Sequence, residues 1–198
     1  MTSFTPKDLV WDDEGRRKLT EGITKLSKAV KSTLGPSGNT VLIESEQHTH
    51  GITVTKDGVT VAKAIDLLDP VENLAVRMMK EAAEKTANLA GDGTTTAIVL
   101  TEALVYYATE AIREEAEAGD AVSAVAVTRC LEWLCEEMLE VIDEMSIPVT
   151  DEMLFDVATI SANNDRELGK IIADTYTEVG KDGVVTLKKS DTPETTTE

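Results

Sequence analysis

Between Arg16 and Leu34 the apolar side chains recur at Leu19, Ile23, Leu26, Val30 and Leu34, and these steps of three and four predict a helix with one buried stripe. Gly35-Pro36 ends it, because proline has no amide donor and pushes the preceding residue out of helical geometry. Upstream, the short apolar run Leu9-Val10-Trp11 reads as an edge strand. Val41-Leu42-Ile43 and Ile52-Thr53-Val54-Thr55 are β-branched runs on either side of a polar loop, which predicts a hairpin with a loose tip. Lys56-Asp57-Gly58 turns the chain, a helical segment opens near Val59, and a longer helix follows Pro70 from about Val71 to Leu89. Its predicted inner stripe is Leu74, Met78, Met79, Ala82, Thr86 and Leu89.

Ala90-Gly91-Asp92-Gly93 breaks that helix, and Thr94-Thr95-Thr96 opens another that runs through Leu104 and Ile112 to a turn at Gly119-Asp120. Leu131, Leu134, Cys135, Met138, Ile142 and Met145 then share one face of a helix that stops at Ser146-Ile147-Pro148, the best candidate for a domain boundary. Shorter elements follow: a helix near 151–159, the polar segment Ser161–Asp165, a helix carrying Leu168, Ile171, Ile172 and Val179, and a strand at Val184-Val185-Thr186-Leu187. Residues 191–198 contain no apolar side chain and are expected to be disordered.

Composition narrows this picture in two ways. Aromatic residues make up only 4% of the 198 residues, so the core is aliphatic and alanine-rich, which favours packed helices. The net charge of −18 repels nucleic acid and anionic lipid. The acidic excess concentrates in residues 110–152, where thirteen Asp or Glu face only Arg113 and Arg129, and is read as a solvated helical face. Cys130 and Cys135 match neither a redox nor a metal spacing and are expected to be reduced core or boundary thiols. Met78, Met79, Met138 and Met145 lie at core spacing, and Trp11 and Trp133 are expected at element edges. The opening residues lack a basic region followed by an apolar run, and no stretch of eighteen apolar residues occurs, so a soluble, cytoplasmic protein is expected.

Candidate chemistry sits in three loops. Gly91-Asp92-Gly93-Thr94-Thr95-Thr96 places flexible glycines and three hydroxyls at a helix start, where free N–H groups and the helix dipole favour an anion. Asp92 would repel bare phosphate, so it makes sense there if a Mg2+ ion intervenes; the same string also suits an ordinary capped helix. Thr33-Leu34-Gly35-Pro36, followed by Ser37 and Gly38, could offer backbone groups to a nucleotide or simply stop a helix. Lys56 and Asp57 set a cation beside a carboxylate, as water-directed phosphoryl transfer needs; alternatively Lys56 is solvated and Asp57 caps the next helix. Neither GxxxxGK[ST] nor GxGxxG is present. His48 and His50 lack a third ligand nearby and are read as part of an exposed hairpin tip.

Taken together, TLGP at 33–36, TKDGVTVA at 55–62 and AGDGTTTA at 90–97 closely resemble the group I, GroEL-like chaperonins in order and separation. Lys7-Asp8-Leu9-Val10-Trp11, Thr159-Ile160-Ser161-Ala162-Asn163, Gly169-Lys170 and the segment Val179–Val184 extend the resemblance over roughly residues 7 to 190. It implies a mainly α fold: the first half of a helical equatorial domain with a small β-hairpin in residues 1–147, then the first segment of an α+β intermediate (hinge) domain in 148–190. An apical domain would begin near Asp191.

The same resemblance implies an ATP-dependent, protein-folding ring subunit that uses ATP, Mg2+ and K+. It assigns the backbone of Thr33, Leu34, Gly35 and Pro36 and the turn at Lys56 to the nucleotide and the monovalent cation, and Asp92 to Mg2+. Gly93, Thr94, Thr95 and Thr96 become the phosphate cradle, and Asp57 the carboxylate that assists hydrolysis. Implied partners are other chaperonin subunits, unfolded polypeptides and a co-chaperonin lid, with no nucleic acid and no membrane. Departures are Ser37 where a lysine is usual, a loop there about one residue short, and a stretch from Thr96 to Pro148 longer by about half a dozen residues. The apical domain, the returning hinge strand and the family's principal water-orienting aspartate lie outside these 198 residues, so about half of an ATP site is expected. A non-hydrolysing interaction protein that docks onto a chaperonin ring through the equatorial surface is the competing expectation.

Overall fold

A computed structural model describes residues 8–35, 37–44, 51–119, 122–180, 183–186 and 188. Among these the order is α1 (Asp12–Lys31), β1 (Val41–Glu44), β2 (Ile52–Thr55), α2 (Gly58–Lys63), α3 (Pro70–Ala90), α4 (Thr94–Ala118), α5 (Ala124–Met145), α6 (Asp151–Ser161) and α7 (Arg166–Val179). The mainly helical fold with one hairpin is therefore as the sequence predicts. By packing, the chain divides into two compact units, Met1–Leu131 and Glu132–Glu198.

In the first unit, Leu26 and Val30 of α1, Val61 and Ala62 of α2, Val76, Met79 and Ala83 of α3, and Ile98 of α4 form one buried cluster. The leucine, valine, isoleucine and methionine side chains among them each stabilise the fold by about 1.5–3 kcal/mol relative to exposure. Local chemistry fixes where the elements begin. Asp69 caps α3 by accepting from the amides of Val71 and Glu72, with Pro70 pre-set in the first turn. Gly91, at φ 76°, closes the helix in left-handed geometry. Lys18 of α1 reaches the same Asp69 carboxylate at 2.8 Å and so ties α1 to the start of α3. Strands β1 and β2 pair antiparallel, Val41 with Thr55 through Glu44 with Ile52. Val41 and Ile43 pack on the cluster, while Leu42 and Val54 face outward as an exposed pair.

In the second unit, α6 and α7 cross closely. A Cβ on Gly169 would lie 2.7 Å from Thr159 Cα, so only glycine permits this approach. Asp165 caps α7 through the amides of Glu167 and Leu168.

Several sequence expectations are corrected. Residues 8–11 form no strand; Trp11 immediately precedes α1 and is 70% exposed. A strand needs a ladder partner for its polar backbone, and among the described residues the sheet has only β1 and β2. Val184–Thr186 are not in a strand either. The buried face of α3 is Glu72, Ala75, Val76, Met79 and Ala83, whereas Leu74, Met78, Ala82 and Leu89 are exposed. Helix α5 has no buried residue, so its apolar stripe, including Met138 and Met145, is bare, as is Trp133; Cys130 and Cys135 are free thiols but exposed rather than buried. Pro36, the histidines at 48 and 50, Leu187 and residues 191–198 lie outside the described residues.

Candidate functional site

Two glycines in left-handed geometry, Gly91 at φ 76° and Gly93 at φ 85°, bring the chain out of α3 and straight into α4. This turn needs glycine, because a side chain at these angles is strained. Among the described residues, α2, α3 and α7 start on an aspartate side-chain cap, whereas α1, α4 and α6 have no side-chain cap, and α4 starts on Gly93. The first amides of a 25-residue helix are thus left to a ligand or water, at the positive end of the helix dipole.

The other two loops are folded against this terminus. Thr33 is buried, with its hydroxyl donating to Val30 O at 2.8 Å, and the Asn39 amide donates to Ser32 O at 2.7 Å, which closes the loop carrying Leu34 and Gly35. Gly58, at the start of α2, lies against both partners: a Cβ there would sit 2.0 Å from Thr95 Oγ1 and 3.3 Å from Thr33 Oγ1. The result is a cleft of about 270 Å³ lined by Thr33, Leu34, Gly35, Asp57, Val59, Ala87 and the run Gly91–Thr96. That is close to the lower end of ordinary small-molecule sites, about 300–1,000 Å³.

Two carboxylates face the cleft. Asp92 Oδ1 accepts from the Gly93 amide at 2.6 Å. Asp57 caps α2: Oδ1 accepts from the Val59 amide at 3.2 Å, and Oδ2 from the Thr60 amide at 3.0 Å and the Thr60 hydroxyl at 2.6 Å. Partial burial pushes the Asp57 carboxyl upward, but the Thr60 hydroxyl, the amides of Thr60 and Val59 and the charge of Lys63 outweigh it and hold the group below its ordinary range. Among the described residues lining the cleft there is no lysine or arginine. A polyphosphate would therefore meet two carboxylates, unless a hard cation with oxygen ligands came with it. Carboxylates and threonine hydroxyls are the donor set such a cation takes, so the residues present fit Mg2+.

The structure thus brings Thr33, Leu34, Gly35, Asp57, Asp92, Gly93, Thr94, Thr95 and Thr96 to one place. Lys56 is exposed and is not among the lining residues, and Pro36 is outside the described residues. The three threonine hydroxyls are not equivalent: Thr94 is buried, Thr95 half-buried and Thr96 exposed. Sequence reasoning missed Thr60, Val59 and Ala87. Only Thr60 carried a signal, standing three residues after the capping aspartate, where its hydroxyl can return to it.

The model of the TCP-1/cpn60 chaperonin family matches residues 26–197. The chain is 41% identical over 192 residues to Chaperonin GroEL 1 of Rhodopirellula baltica, covering 96% of this chain but 32% of that relative. It also resembles crystal structures of the chaperonin gp146 from the bacteriophage EL 2 (Pseudomonas aeruginosa) in presence of ATP-BeFx. Two crystal forms give TM-scores of 0.70 and 0.71 at 30% identity, covering 84% and 85% of this chain and 28% and 29% of gp146. The chain thus spans about a third of the length of the relatives it matches. No helix among the described residues is long and apolar enough to cross a membrane.

Proposed function

This chain belongs to the TCP-1/cpn60 chaperonin family, and from that premise we propose that it supplies the Mg-ATP-binding side of an ATP-driven protein-folding ring. The supporting observation is the convergence of three loops, distant in sequence, on the uncapped start of α4. In this reading the α4 amides and the hydroxyls of Thr95 and Thr96 take phosphate oxygens, and Asp92 holds Mg2+. The backbone of residues 33–36 and the Lys56 turn approach the nucleotide and K+. Bound Mg2+ would supply charge neutralisation at the phosphates.

Asp57, near the terminal phosphate, assists hydrolysis by accepting from the attacking water, with a second aspartate as the principal orienting group. A bond forms from the water oxygen to the terminal phosphorus, and the bridging P–O bond breaks. Its electron pair leaves with ADP, and the water proton ends on the released phosphate. Residues 1–147 would serve as equatorial domain and 148–190 as hinge. The partners are other subunits, unfolded polypeptide and a co-chaperonin.

Calorimetric titration of the chain with Mg-ADP and with Mg-pyrophosphate tests the site. Both are expected to bind with similar affinity, because the cleft accommodates the phosphates, and both to be lost with EDTA or Asp92→Ala. Binding that survives both treatments, or no binding at all, would refute the assignment.

A further inference from the structure

Asp57 would be a sufficient helix cap with its two amide donors alone, so the Thr60 hydroxyl is a third donor that capping does not require. It makes the shortest of the three bonds, 2.6 Å, and lands on the oxygen that the Thr60 amide already holds at 3.0 Å. Oδ2 is thereby anchored twice from one residue. Oδ1 has a single long contact, 3.2 Å from the Val59 amide. A carboxylate oxygen has two lone pairs, so Oδ1 keeps acceptor capacity while the group as a whole cannot swing. Asp57 lines the cleft, and the amide of Asp57 itself donates to Thr55 Oγ1 at 3.0 Å, which fixes the backbone that carries it.

We propose that Thr60 is a positioning residue: its hydroxyl locks Oδ2 of Asp57 so that Oδ1 is the oxygen offered to the water beside the terminal phosphate. This rests on the nucleotide assignment above and deepens it by separating the two oxygens of one carboxylate. An unanchored Asp57 could still cap α2 and still tolerate bound nucleotide. It would present either oxygen at varying angles, and water orientation would suffer while ground-state binding would not.

The test compares Thr60→Ser, which keeps the hydroxyl, with Thr60→Val, which replaces it by a methyl group of the same shape. Two affinities are measured on each chain: Mg-ADP alone, and Mg-ADP with aluminium fluoride, which mimics the phosphoryl group with its in-line water. The unaltered chain and Thr60→Ser are expected to gain affinity when aluminium fluoride is added. Thr60→Val is expected to bind Mg-ADP within about twofold of the parent and to lose about tenfold of the fluoride-dependent gain. Circular dichroism accompanies each variant, and Thr60→Ala replaces Thr60→Val if the valine chain does not fold. Equal gains in the hydroxyl-bearing and hydroxyl-lacking chains overturn the role of Thr60 alone. If the unaltered chain binds no Mg-ADP, the nucleotide assignment falls, and this inference with it.

Discussion

Replacing Gly58 by alanine sets two calculable effects against each other. Gly58 is in helical backbone and buried, so alanine gains up to about 1 kcal/mol of helix propensity there. Against this, its Cβ would lie 2.0 Å from Thr95 Oγ1 and 3.2 Å from Thr95 Cβ, contacts that force α2 away from the start of α4. Overpacking of this kind costs about 1–3 kcal/mol, so Gly58→Ala is expected to destabilise by about 1–2 kcal/mol net. At usual urea sensitivities this lowers the unfolding midpoint by about 0.5–1 M with an unchanged slope. The obstruction is chiefly one hydroxyl, which gives the argument an internal control. With Thr95→Ala present the nearest obstacle is the remaining Cβ at 3.2 Å, and alanine at 58 should become neutral or stabilising. The two substitutions should therefore couple by about 1–3 kcal/mol in a double-mutant cycle. An equal penalty for Gly58→Ala in both backgrounds, or no penalty in either, would refute the idea that this contact joins the two loops.

Gly169→Ala should behave differently, because its Cβ would meet the backbone of Thr159 at 2.7 and 2.9 Å as well as the hydroxyl at 2.5 Å. A loss of about 2–3 kcal/mol is expected, and Thr159→Ala should not restore it; recovery in the double variant would contradict the backbone clash. Asp69 is held at about 2, below its ordinary 3.8, chiefly by the Lys18 ammonium and by the Glu72 amide. A depressed carboxyl contributes stability above its unfolded value and loses it as pH falls toward the folded one. Asp69→Asn, which can still cap, should therefore lower the urea midpoint at pH 7 but hardly at pH 2; a difference independent of pH would exclude the ion pair as its cause. Amide exchange along α4 should be slower over residues 97–102 than over 108–118, since the buried residues of that helix are Thr94 and Ile98; uniform protection would contradict this.

How far the sequence could be read depended on what chooses a buried face. In α1, large side chains recur on one stripe, and Leu26 and Val30 are buried as the spacing predicts. Helix α3 carries two apolar stripes. Hydrophobic size favours Leu74, Met78 and Leu89, yet the stripe of Ala75, Val76, Met79 and Ala83 is the one inside. The helices approach closely on that side: a Cβ on Gly22 of α1 would come within 2.3 Å of Glu72 O, at the head of the buried stripe of α3. No ranking by hydrophobicity contains that information. Periodicity likewise showed that α5 is amphipathic without showing that its stripe is left bare. The glycine-rich turns of the site were legible because left-handed backbone demands glycine. The burial of Thr94 was not, since threonine serves equally in caps, cores and cradles, and the Thr60 hydroxyl was signalled only by its place three residues after the capping aspartate.

The distribution of packing explains why the site can be formed well even though much apolar surface is bare. Helix α4 is buried only at Thr94 and Ile98, in its first turns, while Tyr106, Tyr107 and the helix that follows it expose theirs. The cleft is lined from α2, the end of α3, the start of α4 and the loop after α1, and α1 to α4 are the helices that supply the buried cluster of the first unit. The uncapped amides of α4 therefore stand at its buried end, where a fixed dipole is most useful to an anion. Bare stripes on α5 and on the later turns of α4 leave apolar area in water at a cost of about 25 cal/mol per Å². None of the residues that line the cleft belongs to α5 or to the later turns of α4. Within the first unit, stability and phosphate recognition draw on the same part of α4: its first turns hold both the core contact and the free amides, while its later turns contribute to neither.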